Sequence, residues 1–344
     1  MAIISRQVIR IIAAGLCFPG FAASESLLQE LQRRADKEGL ALLHIHGSPV
    51  MILRSNGEWI TEGNPRELSS AWLSNGGAAV VWSVHYPLQH SPWSCASPLI
   101  IESPGNLGNW TLPGEVINAT AGVSPDGKSV AFYGTYKPPG SGTLNTMENR
   151  SKWVNGLMFA SRGTSVNAVF TNPMPKMPDY LVSSISWSPD GSAFAYDYQG
   201  KIYVFDVAGK APRVVASGST PNWSPDGHWI AFRTAEGMAS AVETSTGRGR
   251  DLFGRRQILA GVHWSPDSRY VMLSERLGFL SNLLHLRSPL WEGVMLVIRV
   301  EDGESVPINW IGLDSFYDNG FDWVSDYRAF MNQAAIKPIV QSCQ

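Results

Sequence analysis

Four aspartates recur at the same place in a repeated tetrapeptide and are the first candidates for chemistry. Asp126, Asp190, Asp226 and Asp267 each follow Ser-Pro and precede Gly or Ser. Several carboxylates are what a metal site or an acid–base centre requires. However, Ser-Pro-Asp-Gly also matches a type I turn, with Pro at its second and Gly at its fourth position, and Asp is a preferred turn residue. We therefore predict that these aspartates shape turns.

The histidines give no firmer sign of a catalytic or metal site. His44 and His46 alternate along a strand-like run and so share one side of it, but the spacing identifies no third metal ligand. His85 and His90 flank a loop that contains proline. The sequence holds neither the G-x-S-x-G nucleophile motif nor H-E-x-x-H. It therefore predicts no catalytic residue, no metal and no cofactor, and it favours a protein that is not an enzyme.

The elements that carry these residues form a repeat. Each tetrapeptide follows Trp or Val and precedes an apolar strand, as in Trp229–Phe232. Two further strand patterns come next, so that one unit holds four short strands, the content of a propeller blade. Four clear copies and two altered copies begin at Trp72, Val123, Trp187, Trp223, Trp264 and Trp323. The sequence thus predicts an all-β, six-bladed propeller.

The domain boundaries predict how the ring closes. Residues 1–24 read as a signal peptide with cleavage between Ala22 and Glu25, because a basic start precedes an apolar run and small residues. Residues 25–39 read as a short N-terminal helix and residues 40–344 as the propeller. The sixth unit ends soon after Trp323, whereas strand-like runs precede Trp72. We expect these N-terminal strands to complete the last blade, since closure removes exposed sheet edges.

The repeated W-S-P-D-G followed by I-A-F, and an aliphatic strand ending in Asp206-Val207-Ala208-Gly209, resembles the TolB-type propeller repeat. The resemblance covers about residues 40 to 332. It implies the propeller fold, without the α/β domain that precedes the propeller in TolB. The same repeat occurs in many unrelated proteins, so it implies little about function.

A polar arc near the propeller axis is one candidate ligand site. The residue before each motif begins an innermost strand, and four of these residues are polar: Ser186, Asn222, His263 and Asp322. His263 and Asp322 fall in neighbouring blades, where hydrogen bonding is feasible. These side chains either bind a ligand in the tunnel or satisfy backbone groups between blades, as buried polar groups must be paired.

Long connections provide a second candidate site. They occur in blade one (85 to 97), blade two (135 to 152) and blade five (275 to 292), and in a meander all three lie on one face. Long loops without regular structure are often functional. The blade-five segment is apolar and either binds a partner or packs on its own propeller. Its partner-binding candidates are Phe279, Leu280, Leu283, Leu284 and Trp291.

Charge and cysteine content limit the remaining possibilities. The net charge is −2 and no Lys/Arg run suggests a nucleic-acid-binding face. No segment after the signal is apolar for long enough to span a membrane. After signal removal Cys95 and Cys343 remain, and an exported protein with two cysteines is expected to pair them.

Taken together, the sequence predicts an exported, monomeric, non-catalytic propeller in the periplasm or outside the cell. Its expected partner is a protein, peptide or envelope component bound through the loop-rich face. Two alternatives stay open: an enzyme, such as a lyase or hydrolase acting on a saccharide at the tunnel mouth, and a sensor of a small ligand.

Overall fold

A computed structural model describes residues 25–44, 50–54, 59–62, 70–75, 79–83, 98–104, 108–141, 151–173, 181–209, 211–254, 256–276, 293–311 and 321–328. One helix, α1 (Leu27–Lys37), and 24 strands are formed by these residues. Within this part of the sequence no helix is long and apolar enough to cross a membrane. The predicted signal peptide lies outside the described residues.

The strands form six four-stranded antiparallel sheets, and five of these are continuous in sequence. Blade one comprises β4 (Ser70–Leu73), β5 (Val80–Ser83), β6 (Leu99–Glu102) and β7 (Trp110–Thr111). Blade two comprises β8 (Glu115–Val123), β9 (Ser129–Lys137), β10 (Val154–Ser161) and β11 (Asn167–Asn172). Blade three comprises β12 (Ile185–Trp187), β13 (Ala193–Tyr198), β14 (Lys201–Asp206) and β15 (Arg213–Ser217).

Blade four comprises β16 (Ser219–Trp223), β17 (Trp229–Arg233), β18 (Ala239–Glu243) and β19 (Gly249–Asp251). Blade five comprises β20 (Ile258–Trp264), β21 (Tyr270–Arg276), β22 (Gly293–Arg299) and β23 (Ser305–Ile311). The closing blade has the order β24 (Phe321–Val324), β1 (Ala41–His44), β2 (Val50–Arg54) and β3 (Trp59–Glu62), and so combines strands from both termini.

The first strand of each sheet is the innermost one, and these strands close a ring. β4 contacts β8, β8 contacts β12, and the series continues through β16, β20 and β24 back to β4. In the closing blade, β1 pairs with β24 from Ala41 opposite Val324 to His44 opposite Phe321. The prediction of an all-β, six-bladed propeller with a short N-terminal helix is confirmed.

Tryptophans of the repeat fill the gaps between neighbouring blades. Trp187, Trp264 and Trp323 are buried, and the indole Nε1 of each donates a hydrogen bond to a backbone carbonyl of the preceding blade. An aromatic ring removes a large apolar area from water while its N–H keeps a partner. The motif residue therefore joins adjacent sheets as well as filling the core.

Helix α1 packs beside the closing blade. Ser26 caps its first turn in a capping box with Gln29, which satisfies otherwise unpaired backbone N–H groups. Its apolar side enters a core cluster whose members are Leu27, Leu31, Leu40, Leu42, Tyr270, Met272, Met295, Val297, Ile308 and Trp323. The helix thus covers the junction of blade five and the closing blade.

The two ends of the ring differ in their connections. We call the end that carries the Ser-Pro-Asp turns the turn face; because antiparallel strands alternate in direction, α1 and residues 325–328 also lie there. The opposite end is the loop face. It carries the connections between the second and third strands of each blade and those from one blade to the next.

Candidate functional site

The repeated aspartates are used within their own turns. In each turn the Ser hydroxyl donates to Asp Oδ1, and the backbone N–H two residues beyond the Asp donates to the same oxygen. Hydrogen bonds from Ser188 and from the backbone of Ser192 lower the pKa of Asp190. Among the described residues no cluster of three or more His, Cys, Asp or Glu side chains is placed to hold a metal.

One turn also matches a phosphate-binding sequence pattern. Gly122–Ser129 reads G-x-x-x-x-G-K-S, which in nucleotide-binding proteins forms a loop that opens a helix. Here the segment joins β8 to β9, and its backbone is closed by bonds from Gly127 N to Ser124 O (2.8 Å) and from Ser124 N to Ser129 O (2.9 Å). With a strand after it and its amides turned to its own carbonyls, the segment is not a phosphate cradle.

Two of the four axial candidates bridge neighbouring blades. The hydroxyl of Ser186 accepts a hydrogen bond from the backbone N–H of Trp223 (2.8 Å), and the side-chain oxygen of Asn222 accepts one from the backbone N–H of Trp264 (3.3 Å). These contacts satisfy backbone donors of the next innermost strand. For Ser186 and Asn222 the role in pairing backbone groups is therefore the one that the geometry supports.

His263 and Asp322 are brought together at the junction of blade five and the closing blade. His263 Nδ1 lies 3.9 Å from Asp322 Oδ1, with 12% and 33% of the respective side chains exposed. That distance is too long for a hydrogen bond. Asp322 Oδ1 accepts from the backbone N–H of Trp323 (3.0 Å), while His263 Nδ1 is buried without a hydrogen-bond partner among the described residues. This pair is the part of the axial arc that is not consumed by blade-to-blade bonds.

Asn75, which the sequence reasoning did not single out, reaches across the turn end of the axis. It belongs to the altered first repeat. Ser74 Oγ accepts from Ala79 N there, as Ser124 Oγ accepts from Ser129 N in blade two, so in the structure Asn75 takes the place of the proline. Its amide donates to the carbonyl of Trp187, and its Oδ1 accepts from Ser186 Oγ (3.3 Å). Blade one thereby contacts blade three. The departure from Ser-Pro in this copy was the available signal.

At the loop-face end, innermost strands leave regular pairing. The register shifts in β8 between Ile117 and Thr120, in β16 between Ser219 and Asn222, and in β20 between Ile258 and Val262. Thr220 in β16 has φ +52°, a left-handed conformation that is costly for a β-branched residue. Such bulges and strain collect near functional sites.

Asp197, at the loop-face end of β13, is a second residue that sequence reasoning missed. Its carboxylate accepts hydrogen bonds from Ser183 N (2.9 Å), Ser183 Oγ (2.6 Å) and Ser184 N (3.0 Å). Burial raises the pKa of Asp197 despite these bonds. The side chain thus fixes the backbone that leads into β12 near the axis. No signal in the sequence indicates this role, because a single Asp within a strand pattern does not show which backbone groups lie opposite it.

The residues predicted to bind a partner lie in the blade-five connection, residues 277–292, outside the described residues. The strands on either side are described: β21 ends and β22 begins at the loop face. The connections of residues 84–98 in blade one, 138–153 in blade two and 312–320 before β24 leave on the same face. Blades three and four have short ones there, residues 199–200 and 234–238.

The predicted Cys95–Cys343 disulfide also lies outside the described residues. Cys95 belongs to a loop-face connection. Its proposed partner follows β24, which ends on the turn face, where Tyr327 N donates to Gly39 O (3.0 Å) and Arg328 donates to Asp36 O (2.9 Å). The segment after β24 therefore starts at the turn face, whereas the connection that contains Cys95 leaves β5 at the loop face.

Comparison with known proteins supports the fold. No protein-family model matches the sequence, and no curated protein sequence matches it either. Among solved structures, TolB from Acinetobacter baumannii matches with a TM-score of 0.52 and 14% identity over 83% of this chain and 66% of that chain. A protein assigned as a TolB from Agrobacterium tumefaciens matches with a TM-score of 0.46 and 15% identity, over 79% of this chain and 88% of that one. The protein thus spans slightly less than two thirds of the A. baumannii protein, with which it shares the propeller fold.

Proposed function

We propose that this protein is an exported, non-catalytic propeller that binds a protein, peptide or envelope component through its loop face. The observation that carries the proposal is the concentration of long connections from blades one, two and five, and of the connection before β24, on that one face. Long connections on a rigid scaffold are where binding residues collect. By contrast, Ser186, Asn222 and the turn aspartates already have structural partners.

An exchange of connections tests the proposal. Residues 277–292 would be replaced by Thr234–Met238, the short connection at the same place in blade four. The matched control replaces the turn-face connection 207–212 of blade three by residues 244–248 of blade four. The expected result is that residue-mapped cross-linking in the host envelope loses a partner only in the loop-face variant, at an unchanged melting temperature.

Point substitutions refine the same test. Phe279→Ser and Leu283→Ser should weaken partner capture while thermal stability stays nearly unchanged, since the proposal assigns these apolar side chains to the partner and not to the core. If these variants unfold, the blade-five connection is part of the core and the proposal is wrong in this segment. If cross-links persist on the loop face without residues 277–292, another connection is the binding element.

Export is the part of the proposal that concerns the N-terminus. Cleavage between Ala22 and Glu25 would leave intact the Ser26 cap of α1 and the Glu25–Arg33 ion pair (3.1 Å). N-terminal sequencing of the mature protein measures the cleavage position. Recovery of intact Met1 from cells contradicts export.

The His263–Asp322 pair favours a second candidate, a small polar ligand bound at the axis. His263 Nδ1 is buried without a hydrogen-bond partner among the described residues, and Asp322 Oδ1 lies 3.9 Å from it, so a small polar group that reaches Nδ1 would gain a hydrogen bond there. Histidine ring resonances followed by NMR during titration with a small-metabolite panel test this. A ligand that shifts His263 in the wild type and not in Asp322→Asn supports a sensor over a purely protein-binding role.

A further inference from the structure

Cross-strand rows of side chains occupy the loop-face end of blade two. The outer row holds Glu115, Lys137 and Trp153, since Glu115 pairs with Lys137 and Trp153 continues the β9–β10 register beyond Val154 opposite Tyr136. The next row holds Thr135, Asn155 and Asn172. We call these six residues the blade-two rows.

The blade-two rows face blade three. Tyr133 and Leu157 in the row beneath pack with Trp187 and Tyr196 of blade three. Tyr136, by contrast, packs into the cluster shared with blade one. Because successive strand residues point to opposite sides, Thr135 and Lys137 lie on the same side as Tyr133. The rows therefore line the loop-face end of the seam between blades two and three.

Two N–H donors in these rows have no acceptor among the described residues. Trp153 Nε1 and Asn155 Nδ2 are buried, with 7% and 4% of the residues exposed, and neither makes a hydrogen bond. Their neighbours are paired: Asn172 accepts from Tyr198 OH (3.2 Å) and donates to Tyr133 OH (3.3 Å), and Thr135 donates to Asn155 Oδ1 (3.2 Å). Buried donors left unpaired are rare and call for an explanation.

A cation lies over the first donor and already holds a carboxylate of the same protein. Lys137 Nζ is 5.8 Å from the ring centroid of Trp153 and 2.7 Å from Glu115 Oε2. Both members of this ion pair are about one quarter exposed, at 23% and 25%. Because about a quarter of each side chain stays in contact with solvent, an incoming acceptor is able to reach the ammonium and to compete there with Glu115.

We propose that the blade-two rows bind a carboxylate of the partner, either an acidic side chain or the partner's free C-terminal carboxylate. Lys137 supplies the charge, and Trp153 Nε1 and Asn155 Nδ2 supply directed hydrogen bonds. Charge-assisted bonds to a carboxylate are stronger than bonds between neutral groups. Glu115 is the internal competitor for this site. The inference names the partner's chemistry and so rests on the proposed binding role of the loop face.

The indole N–H resonance of Trp153, labelled with ¹⁵N, provides a direct probe. Trp153→Phe identifies it among the thirteen tryptophans of the protein. The titrants are acetyl-glycine for a C-terminus, acetyl-aspartyl-amide for an acidic side chain, and acetyl-glycinamide as the neutral control. A carboxylate should move the resonance downfield in a saturating manner. The indole of Trp110, already bonded to Gly127 O at 2.7 Å, should not move.

Substitutions in the ion pair make the inference falsifiable. Glu115→Gln should tighten the binding of acetyl-glycine or acetyl-aspartyl-amide by roughly threefold or more, because the internal carboxylate no longer competes. Lys137→Met should weaken it by about tenfold or more through loss of the charge. An equal shift with acetyl-glycinamide, or full binding to Lys137→Met, overturns the proposal.

The two proposals fail separately. If no carboxylate shifts Trp153 while the exchange of residues 277–292 still abolishes the cross-linked partner, the loop face binds and the carboxylate site does not exist. If the shift occurs but Lys137→Met tightens carboxylate binding and Glu115→Gln weakens it, the site is likewise rejected.

Discussion

The turn face and the loop face are built from the same strands, yet their polar groups are used differently. On the turn face the Ser hydroxyl of each Ser-Pro-Asp turn donates to Asp Oδ1 of the same turn. Charged groups of α1 are paired there as well: Arg34 binds Asp267 (2.6 Å), and Glu30 binds Arg269 (2.7 Å) and Arg299 (3.0 Å). The polar groups of these turns and of α1 are thus paired, whereas His263 Nδ1, at the turn-face end of β20, has no hydrogen-bond partner among the described residues.

The loop face carries unpaired polar groups and a strained residue. Two buried N–H donors in blade two have no acceptor among the described residues, and a threonine in blade four is left-handed. Natural proteins accept such local costs where a site is needed and offset them elsewhere in the fold. The comparison shows that the repeated turns pair their own polar groups at one end of the ring. The connections at the other end are not part of the repeat, and they differ in length between blades.

The largest effect should come from removing a tryptophan between blades. Trp187 is almost fully buried against Phe194 and donates to Gly122 O (2.8 Å). Trp187→Ala should lower the free energy of unfolding by about 3–5 kcal/mol. Chemical denaturation measures this, and a loss below about 1 kcal/mol would break the view that these rings join the blades.

Glu30→Gln should produce the next largest loss. Burial acts to raise the pKa of Glu30, but hydrogen bonds from Tyr270 and Arg299 and the nearby Arg269 charge hold it below the ordinary value. A depressed pKa contributes stability above the unfolded pKa, and this contribution disappears as the pH falls through the folded pKa. We expect a loss of about 2 kcal/mol at pH 7.

The pH dependence of that loss is the control. The difference in unfolding free energy between wild type and Glu30→Gln should shrink as the pH falls below the ordinary glutamate pKa of about 4.3 and through the lowered pKa of the folded state. A difference that stays constant from pH 7 to pH 3 would show that lost packing, and not the charge, is responsible.

A matched pair of substitutions compares an indole whose N–H is hydrogen-bonded with one whose N–H is not. Trp110 on the turn side donates to Gly127 O, whereas Trp153 has no acceptor among the described residues. Both Trp→Phe changes remove ring volume, so their difference reports the hydrogen bond. Trp110→Phe should cost about 1 kcal/mol more than Trp153→Phe. Equal losses in thermal and denaturant unfolding would remove the distinction between the faces.

The smallest effect should be a gain. Thr220→Gly relieves a left-handed threonine at φ +52° and should raise the unfolding free energy by about 0.5 kcal/mol. On the turn face Thr244 donates to Gly227 O (2.8 Å), and Thr244→Gly should instead be destabilising. Calorimetry on the two variants measures the sign of each change, and two losses would contradict strain at Thr220.

The sequence predicted the ring better than the site, for a physical reason. Ser-Pro-Asp-Gly acts locally, because the turn, its Asp bond and the following strand lie within about ten residues. The position of His263 beside Asp322 also followed from counting blades. The inter-blade use of Ser186 and Asn222 was one of two readings, since only coordinates show whether a backbone donor lies opposite.

Other features depend on contacts that no local pattern encodes. Asn75 of blade one donates a hydrogen bond to the carbonyl of Trp187 in blade three. Asp197 in β13 accepts hydrogen bonds from Ser183 and Ser184, the two residues that immediately precede β12. Whether Trp153 Nε1 finds an acceptor depends on which residues of several other strands lie near it. Strand alternation alone gives the side of a sheet and not the partner found there.

The pairing of Ala41–His44 with Phe321–Val324 has a consequence for biosynthesis. A ribosome that has made the first five blades of this protein has not yet made the strand that its earliest strands require. Until then β1 presents unpaired backbone groups of the kind that attract other polypeptides. A truncated protein that ends before Phe321 should therefore be degraded or aggregate. Only a protein synthesised as far as β24 is able to close the ring.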